Sequence, residues 1–266
     1  MHLKRWLTGI VAVPVLIYLI GIGPRWCFHL LVAIFGVIGL WEFFKIACPG
    51  SPAWIKGGTY GLALCLFLSA SLGNFYSVPV LIFLFAALPL ALLMLFTGIS
   101  FRESIDWAGR TVLGSVYICV PLSFLIIIDR FPKGNYWIFF LLFVVFASDT
   151  GAFYVGRTVG KHKLYPSVSP GKTWEGAVAG LLSGIGGALV FPFLLPLYRV
   201  RPGILLLAGA LSVLGQIGDL VESMIKRLCG VKDSGGILPG HGGVLDRIDA
   251  LLFAVPLLYL YLSWSA

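Results

Sequence analysis

Carboxylates, cationic side chains and glycines crowd one stretch of this chain. Ser223, Lys226 and Arg227 come first, then Lys232 and Asp233, then His241-Gly242-Gly243, and finally Asp246, Arg247 and Asp249. Charge is costly in or beside a bilayer, and the sequence around this stretch is apolar, so the cluster needs a chemical reason. Carboxylate oxygens suit a hard cation such as Mg²⁺. Lysine and arginine suit anions, and glycines let backbone N–H groups approach an anion closely.

Helical spacing extends the cluster. Asp219, Ser223 and Lys226 stand at i, i+4 and i+7 and share a face, with Gln216 one turn earlier. An aspartate inside Leu-Gly-Gln-Ile-Gly-Asp-Leu-Val calls for a metal or a counter-charge, and an Asp–Lys pair that only joins two helices is the competing reading. Asp246 and Asp249 stand at i, i+3 where the last apolar segment begins. Metal ligation competes there with ordinary stabilisation of a helix N-terminus. Two carboxylates near a third from another helix make an oxygen site suited to Mg²⁺, with substrate phosphates completing the coordination. Between them, Gly230 to Gly243 reads as an anion cradle or as a flexible loop. His241 reads as an acid, ligand or phosphate donor, or as a hydrogen-bonding strut.

A second group lies upstream. Asp149, within Ser148-Asp149-Thr150-Gly151, follows an apolar run and is as hard to explain by packing as Asp219. Ser169-Pro170-Gly171-Lys172-Thr173 reads as a helix start, where free N–H groups attract phosphate and Lys172 adds a point charge. Gly-Lys-Thr is not a P-loop: Pro166 stands where that motif needs its first glycine, and no strand is expected before it. Glu42 reads as a local partner of Lys45 or as a cap at an interface, and His29 has no evident partner. No Ser/His/Asp arrangement is in register.

These residues must be positioned by membrane helices. Hydrophobic residues make up 59% of the 266 and charged residues 11%, with a mean hydropathy of +0.99, which excludes an ordinary soluble domain. The fold class expected is an all-α, polytopic integral membrane protein. A window of about 20 residues gives nine transmembrane helices, near 6–23, 27–46, 57–72, 77–97, 111–128, 135–155, 174–198, 203–225 and 248–265. Fourteen of the nineteen lysines and arginines then fall on one side. The positive-inside rule makes that side cytoplasmic, with the N-terminus inside and the C-terminus outside. Tryptophans cluster near the expected interfaces. The five cysteines show no zinc or disulfide pattern, and four of them sit in or beside apolar segments and read as small buried hydrophobes. Residues 1–266 form a single membrane-embedded domain, with 1–128 as helices of unclear role and 129–266 as the catalytic helices and loops. The long polar connections 156–173 and 226–247 face the cytoplasm, within reach of a water-soluble substrate. The basic excess reflects topology and phosphate handling, with no nucleic-acid partner.

Residues 223–249 resemble the signature of the phosphatidate cytidylyltransferases, the CDP-diacylglycerol synthases. Its fixed positions match Ser223, Lys226, Arg227, Lys232, Asp233, Gly235, Pro239, His241, Gly242, Gly243, Asp246, Arg247 and Asp249. The runs at 148–152 and 169–176 also look like family blocks, and the N-terminal half matches only as generic membrane helices. The resemblance implies transfer of CMP from CTP to phosphatidate, giving CDP-diacylglycerol and pyrophosphate, with Mg²⁺ and room for a second cation. It implies that Asp219 and Asp246 hold the metal, with Asp249 as a ligand or a support to the ligands. Lys172, Lys226, Arg227 and Lys232 would bind phosphates, with Ser169 and Thr173 at the substrate. Asp149, Ser223 and His241 would position the reactants. The partners implied are CTP, phosphatidate and membrane lipid, with a homodimer allowed, in a bacterial inner membrane with the site facing the cytoplasm. An isoprenoid-lipid cytidylyltransferase, a polyprenol kinase and an ion-coupled transporter are the alternatives.

Overall fold

The computed structural model describes residues 13–74, 76–96, 100–198, 200–237 and 242–265. The helices are α1 (13–21), α2 (Arg25–Ala47), α3 (Ala53–Leu72), α4 (Ser77–Phe96), α5 (Phe101–Arg130) and α6 (Gly134–Thr158), followed after a short β pair by α7 (Trp174–Leu194), α8 (Pro202–Leu228) and α9 (Leu245–Ser265). The antiparallel pair between α6 and α7 is β1 (Lys163–Tyr165) with β2 (Ser169–Thr173), in which Lys163 faces Thr173 and Tyr165 faces Ser169. Among the described residues, α2, α3, α5, α6, α7 and α8 are long and apolar enough to cross a membrane. The chain is therefore a helical, polytopic membrane protein. The first seven residues of the expected first span, 6–23, lie outside the described residues, and α1 fills most of the remainder.

Local chemistry explains where the elements depart from the expected windows. Helix α5 begins ten residues before the apolar window, where the Ser100 side chain caps its N-terminus and also bonds the Glu103 carboxylate. The Glu103 N–H donates to Ser100 Oγ at 3.3 Å, and the Ser100 hydroxyl donates to Glu103 Oε2 at 2.8 Å. The run Ser169–Thr173 is strand β2 rather than a helix start. Only Thr173 acts as the N-cap of α7, its hydroxyl accepting from the Gly176 N–H at 3.1 Å. A strand thus exists where none was expected, but it contains the Gly-Lys-Thr run itself, so a phosphate-cradling loop remains excluded. All five cysteines are free, and only Cys48 and Cys119 are buried; Cys65 faces outward.

The chain divides into two compact units. The first runs to Arg130 and takes in Asp233–Arg247. Its core joins α2, α3 and α5 around Leu40, Phe43, Phe44, Leu66, Ile118 and Ile126, all essentially inaccessible. Near the start of α2, His29 does have partners. Its Nε2 lies 3.1 Å from Asp129 Oδ2 and its Nδ1 lies 2.8 Å from Ser71 Oγ. Both His29 and Asp129 are buried, which keeps a polar clasp out of contact with lipid.

The second unit holds Phe131–Lys232 and Ile248–Ala266. Here α6, α7, α8 and the body of α9 approach through small residues, the usual device where no hydrophobic effect drives helices together. A Cβ on Gly180 of α7 would lie 2.9 Å from both the Ser148 carbonyl on α6 and Gln216 Nε2 on α8. A Cβ on Gly218 of α8 would lie 2.5 Å from the Asp249 carbonyl on α9. Gln216 fastens this crossing by donating to Ala177 O at 3.2 Å and Ser148 Oγ at 3.4 Å.

Candidate active site

The close crossing at Gly218 sets Asp219 beside the α9 backbone that carries Asp249. Asp219 does not pair with Lys226 of its own stripe. Its Oδ2 lies 2.7 Å from Lys172 Nζ, supplied by β2, and its Oδ1 accepts from the Ser223 hydroxyl at 3.4 Å. Lys226 instead pairs with Glu222, one turn back on α8 and fully buried. Sequence reasoning missed Glu222. The signal available was its i, i+4 spacing to Lys226 in an otherwise apolar turn.

Two further carboxylates belong to the same field. Asp149 of α6 interacts electrostatically with Asp219 and Lys172. Asp249 interacts with Asp219, Lys226 and Asp149. The second unit therefore brings together Asp149, Asp219, Asp249, Lys172, Lys226 and Ser223, all expected from sequence. With Glu222 counted, four carboxyl groups share two ammonium groups, a balance that a bound cation would relieve. Among the described residues, no three Asp, Glu, His or Cys side chains close into a protein cage for a metal. Carboxylate oxygens are the donor type Mg²⁺ takes, one or two at a time, with water and phosphate in its other positions.

The β pair frames this field. His162 Nδ1 meets Glu175 Oε1 at 2.6 Å, and the His162 N–H donates to the same carboxylate at 3.2 Å, tying the entry to β1 onto the first turn of α7. Arg227 Nε donates to Val168 O at 3.3 Å and its guanidinium donates to Val231 O at 3.2 Å. The guanidinium thus braces the turn before β2, and so the strand that aims Lys172. Ser169 begins β2 half-buried, and Thr173 is occupied in capping α7.

The signature loop sits in the first unit. Asp246, in the first turn of α9, accepts from the Gly243 N–H at 2.8 Å and the Ser234 N–H at 3.2 Å. Gly242 has φ +80°, and a Cβ there would lie 2.8 Å from Asp246 Oδ2, so this position favours glycine on both counts. Glu42 of α2 is buried in the same loop rather than paired with Lys45, whose ammonium lies over the Trp41 ring. Lys232 is exposed. His241 lies outside the described residues.

Similarity to known proteins extends over nearly the whole chain. The model of the cytidylyltransferase family matches residues 3–265. A phosphatidate cytidylyltransferase of Bacillus subtilis (strain 168) is 36% identical over 267 residues, covering 98% of this chain and 97% of the relative. A protein of the same name from Staphylococcus aureus (strain COL) is 44% identical over 151 residues, covering 55% of this chain and 56% of the relative. The charged field in the second unit and the glycine-bound Asp246 in the first are thus features of a chain that belongs to the cytidylyltransferase family.

Proposed function

We propose that this chain transfers CMP from CTP to phosphatidate in the membrane, forming CDP-diacylglycerol and releasing pyrophosphate. The choice of lipid rests on the near full-length similarity to the B. subtilis relative of that name. The chemistry rests on Asp149, Asp219 and Asp249 gathered with Lys172 and Lys226 on otherwise apolar helices.

A phosphatidate oxygen attacks the α-phosphorus of CTP, the new O–P bond forms, and the bond to the β-phosphate oxygen breaks. The lipid phosphate is already ionised, so no strong base is needed. Rate enhancement comes from alignment and neutralisation of charge. Lys172 and Lys226 are the ammonium groups closest to the carboxylates and are the phosphate binders of this reading. Ser223 orients Asp219, and Arg227 holds β2 in place, so that its contribution to the phosphates includes aiming Lys172. The motif resemblance adds Lys232, Ser169 and Thr173 on the substrate side and His241 among the positioning groups. Asp219 and Asp249 are the metal ligands favoured here, and the resemblance adds Asp246. Mg²⁺ would neutralise the pyrophosphate leaving group.

The lysine and arginine distribution supports nine spans, a cytoplasmic N-terminus and a site facing the cytoplasm, and the bacterial relatives support a bacterial cell (inner) membrane. Purified protein given CTP, Mg²⁺ and phosphatidate should yield pyrophosphate and a cytidine-bearing lipid in equal amounts. Formation of neither overturns the proposal. Transfer of the γ-phosphate with release of CDP would make it a kinase instead.

A further inference from the structure

Glu42 carries a carboxylate with no accessible surface, on a helix outside every motif that points to the reaction. A buried charge persists only where its oxygens are well satisfied. Oε2 accepts from the Leu245 N–H at 2.8 Å and the Ser234 hydroxyl at 3.2 Å, and Oε1 accepts from the Val244 N–H at 3.1 Å. Val244 and Leu245 carry N–H groups at the start of α9, which no residue within that helix can satisfy. A Cβ on Gly243 would lie 2.6 Å from Glu42 Oε2, and one on Gly235 would also strike the Glu42 carboxylate. Glu42 thus takes the space a side chain would need at Gly235, and shares that space with Ser234 Oγ at Gly243. Ser234 joins the two acids: its hydroxyl donates to Glu42 and its N–H donates to Asp246.

We infer that Glu42 is a positioning residue for the cytidylyl transfer: it clamps Ser234, Gly235 and Gly243–Leu245 and so fixes the direction of Asp246. The inference rests on the reading above that Asp246 serves the metal, but the clamp itself can be measured without turnover. Glu42→Gln keeps the shape and replaces one acceptor oxygen with a donor that faces N–H or O–H groups. Amide exchange at Ser234, Val244 and Leu245 should quicken about tenfold, as expected for losing a hydrogen bond to a charged group, while exchange in α6 and α7 stays unchanged. In the CTP and phosphatidate assay, the Mg²⁺ concentration giving half-maximal rate should rise by about the same factor, with the KM for phosphatidate little altered.

Ser234→Ala removes one of the three hydrogen bonds without burying a new polar group. It should shift the same two readouts less, and should add little on top of Glu42→Gln. If Glu42→Gln does not fold, Ser234→Ala decides the matter. Unchanged exchange and unchanged Mg²⁺ dependence in a folded variant overturn the clamp. Faster exchange with unchanged Mg²⁺ dependence overturns the link to Asp246. If the wild-type protein makes no CDP-diacylglycerol, the functional reading falls, and the exchange arm still tests the clamp.

Discussion

Lys172 and Asp219, 47 positions apart in sequence, meet at 2.7 Å between Nζ and Oδ2. The pair joins β2 to α8 and puts an ammonium on the carboxylate that the functional reading assigns to Mg²⁺. On that reading a divalent ion and Lys172 would compete for Asp219. Asp219→Asn should lower kcat by about 100-fold or more, the scale seen when one preorganised electrostatic group is lost. Lys172→Met should raise the KM for CTP while lowering the Mg²⁺ concentration needed for half-maximal rate, because the competing ammonium is gone. Rates measured against Mg²⁺ at fixed CTP separate the two. A Lys172→Met enzyme needing more Mg²⁺ than wild type would rule out the competition.

Gly218 is the spacer that allows this arrangement. An added methyl would meet the Asp249 carbonyl at 2.5 Å, and backbone cannot swing aside as a flexible side chain can. Gly218→Ala should destabilise the protein by about 1–3 kcal/mol, the usual cost of overpacking, and lower turnover by spreading Asp219 from Asp249. Gly203→Ala, on the same helix with open space around the new methyl, should leave both unchanged. Thermal unfolding in detergent and the pyrophosphate assay on the two variants make the comparison. Equal behaviour would show that α8 and α9 need no close crossing.

The membrane helices were legible because a long, uncharged apolar run is tolerated in a bilayer and almost nowhere else. Asp149, Asp219 and Asp249 were legible for the opposite reason: a carboxylate within an apolar run stands out. Partner choice was not legible. Helical spacing put Lys226 on the face of Asp219, yet Glu222 takes Lys226, and Lys172 arrives from a strand that a five-residue run containing proline and glycine did not announce. Local spacing also offered Lys45 to Glu42, because contacts across roughly 200 positions leave no trace in it. The same holds for His29, whose partners stand 42 and 100 positions away.

The His29–Asp129 clasp lies in the first unit and has no part in the proposed chemistry, so its loss should be felt as stability. His29→Ala leaves the buried Asp129 carboxylate short of a donor and should cost about 1–3 kcal/mol. Asp129→Asn keeps an acceptor for the ring and should cost less. Denaturation midpoints of the three proteins check the order. The fraction still folded should turn over CTP at the wild-type kcat, and a reduced kcat with an unchanged midpoint would give the clasp a functional role.

Arg227 offers the sharpest choice between two roles. Its motif position suggests phosphate binding, whereas its hydrogen bonds go to the carbonyls of Val168 and Val231. Lysine keeps the charge but lacks the planar fork needed to reach both carbonyls. If bracing dominates, Arg227→Lys should quicken amide exchange across 163–173 and lower kcat/KM about tenfold, because β2 no longer holds Lys172 in place. If phosphate binding dominates, Arg227→Lys should raise the KM for CTP with exchange in that segment unchanged. Bracing predicts coupling to Lys172: the double variant Arg227→Lys with Lys172→Met should be little worse than Lys172→Met alone, since a strand with no ammonium to aim has little left to lose. Independent, multiplying losses would assign Arg227 to the nucleotide instead.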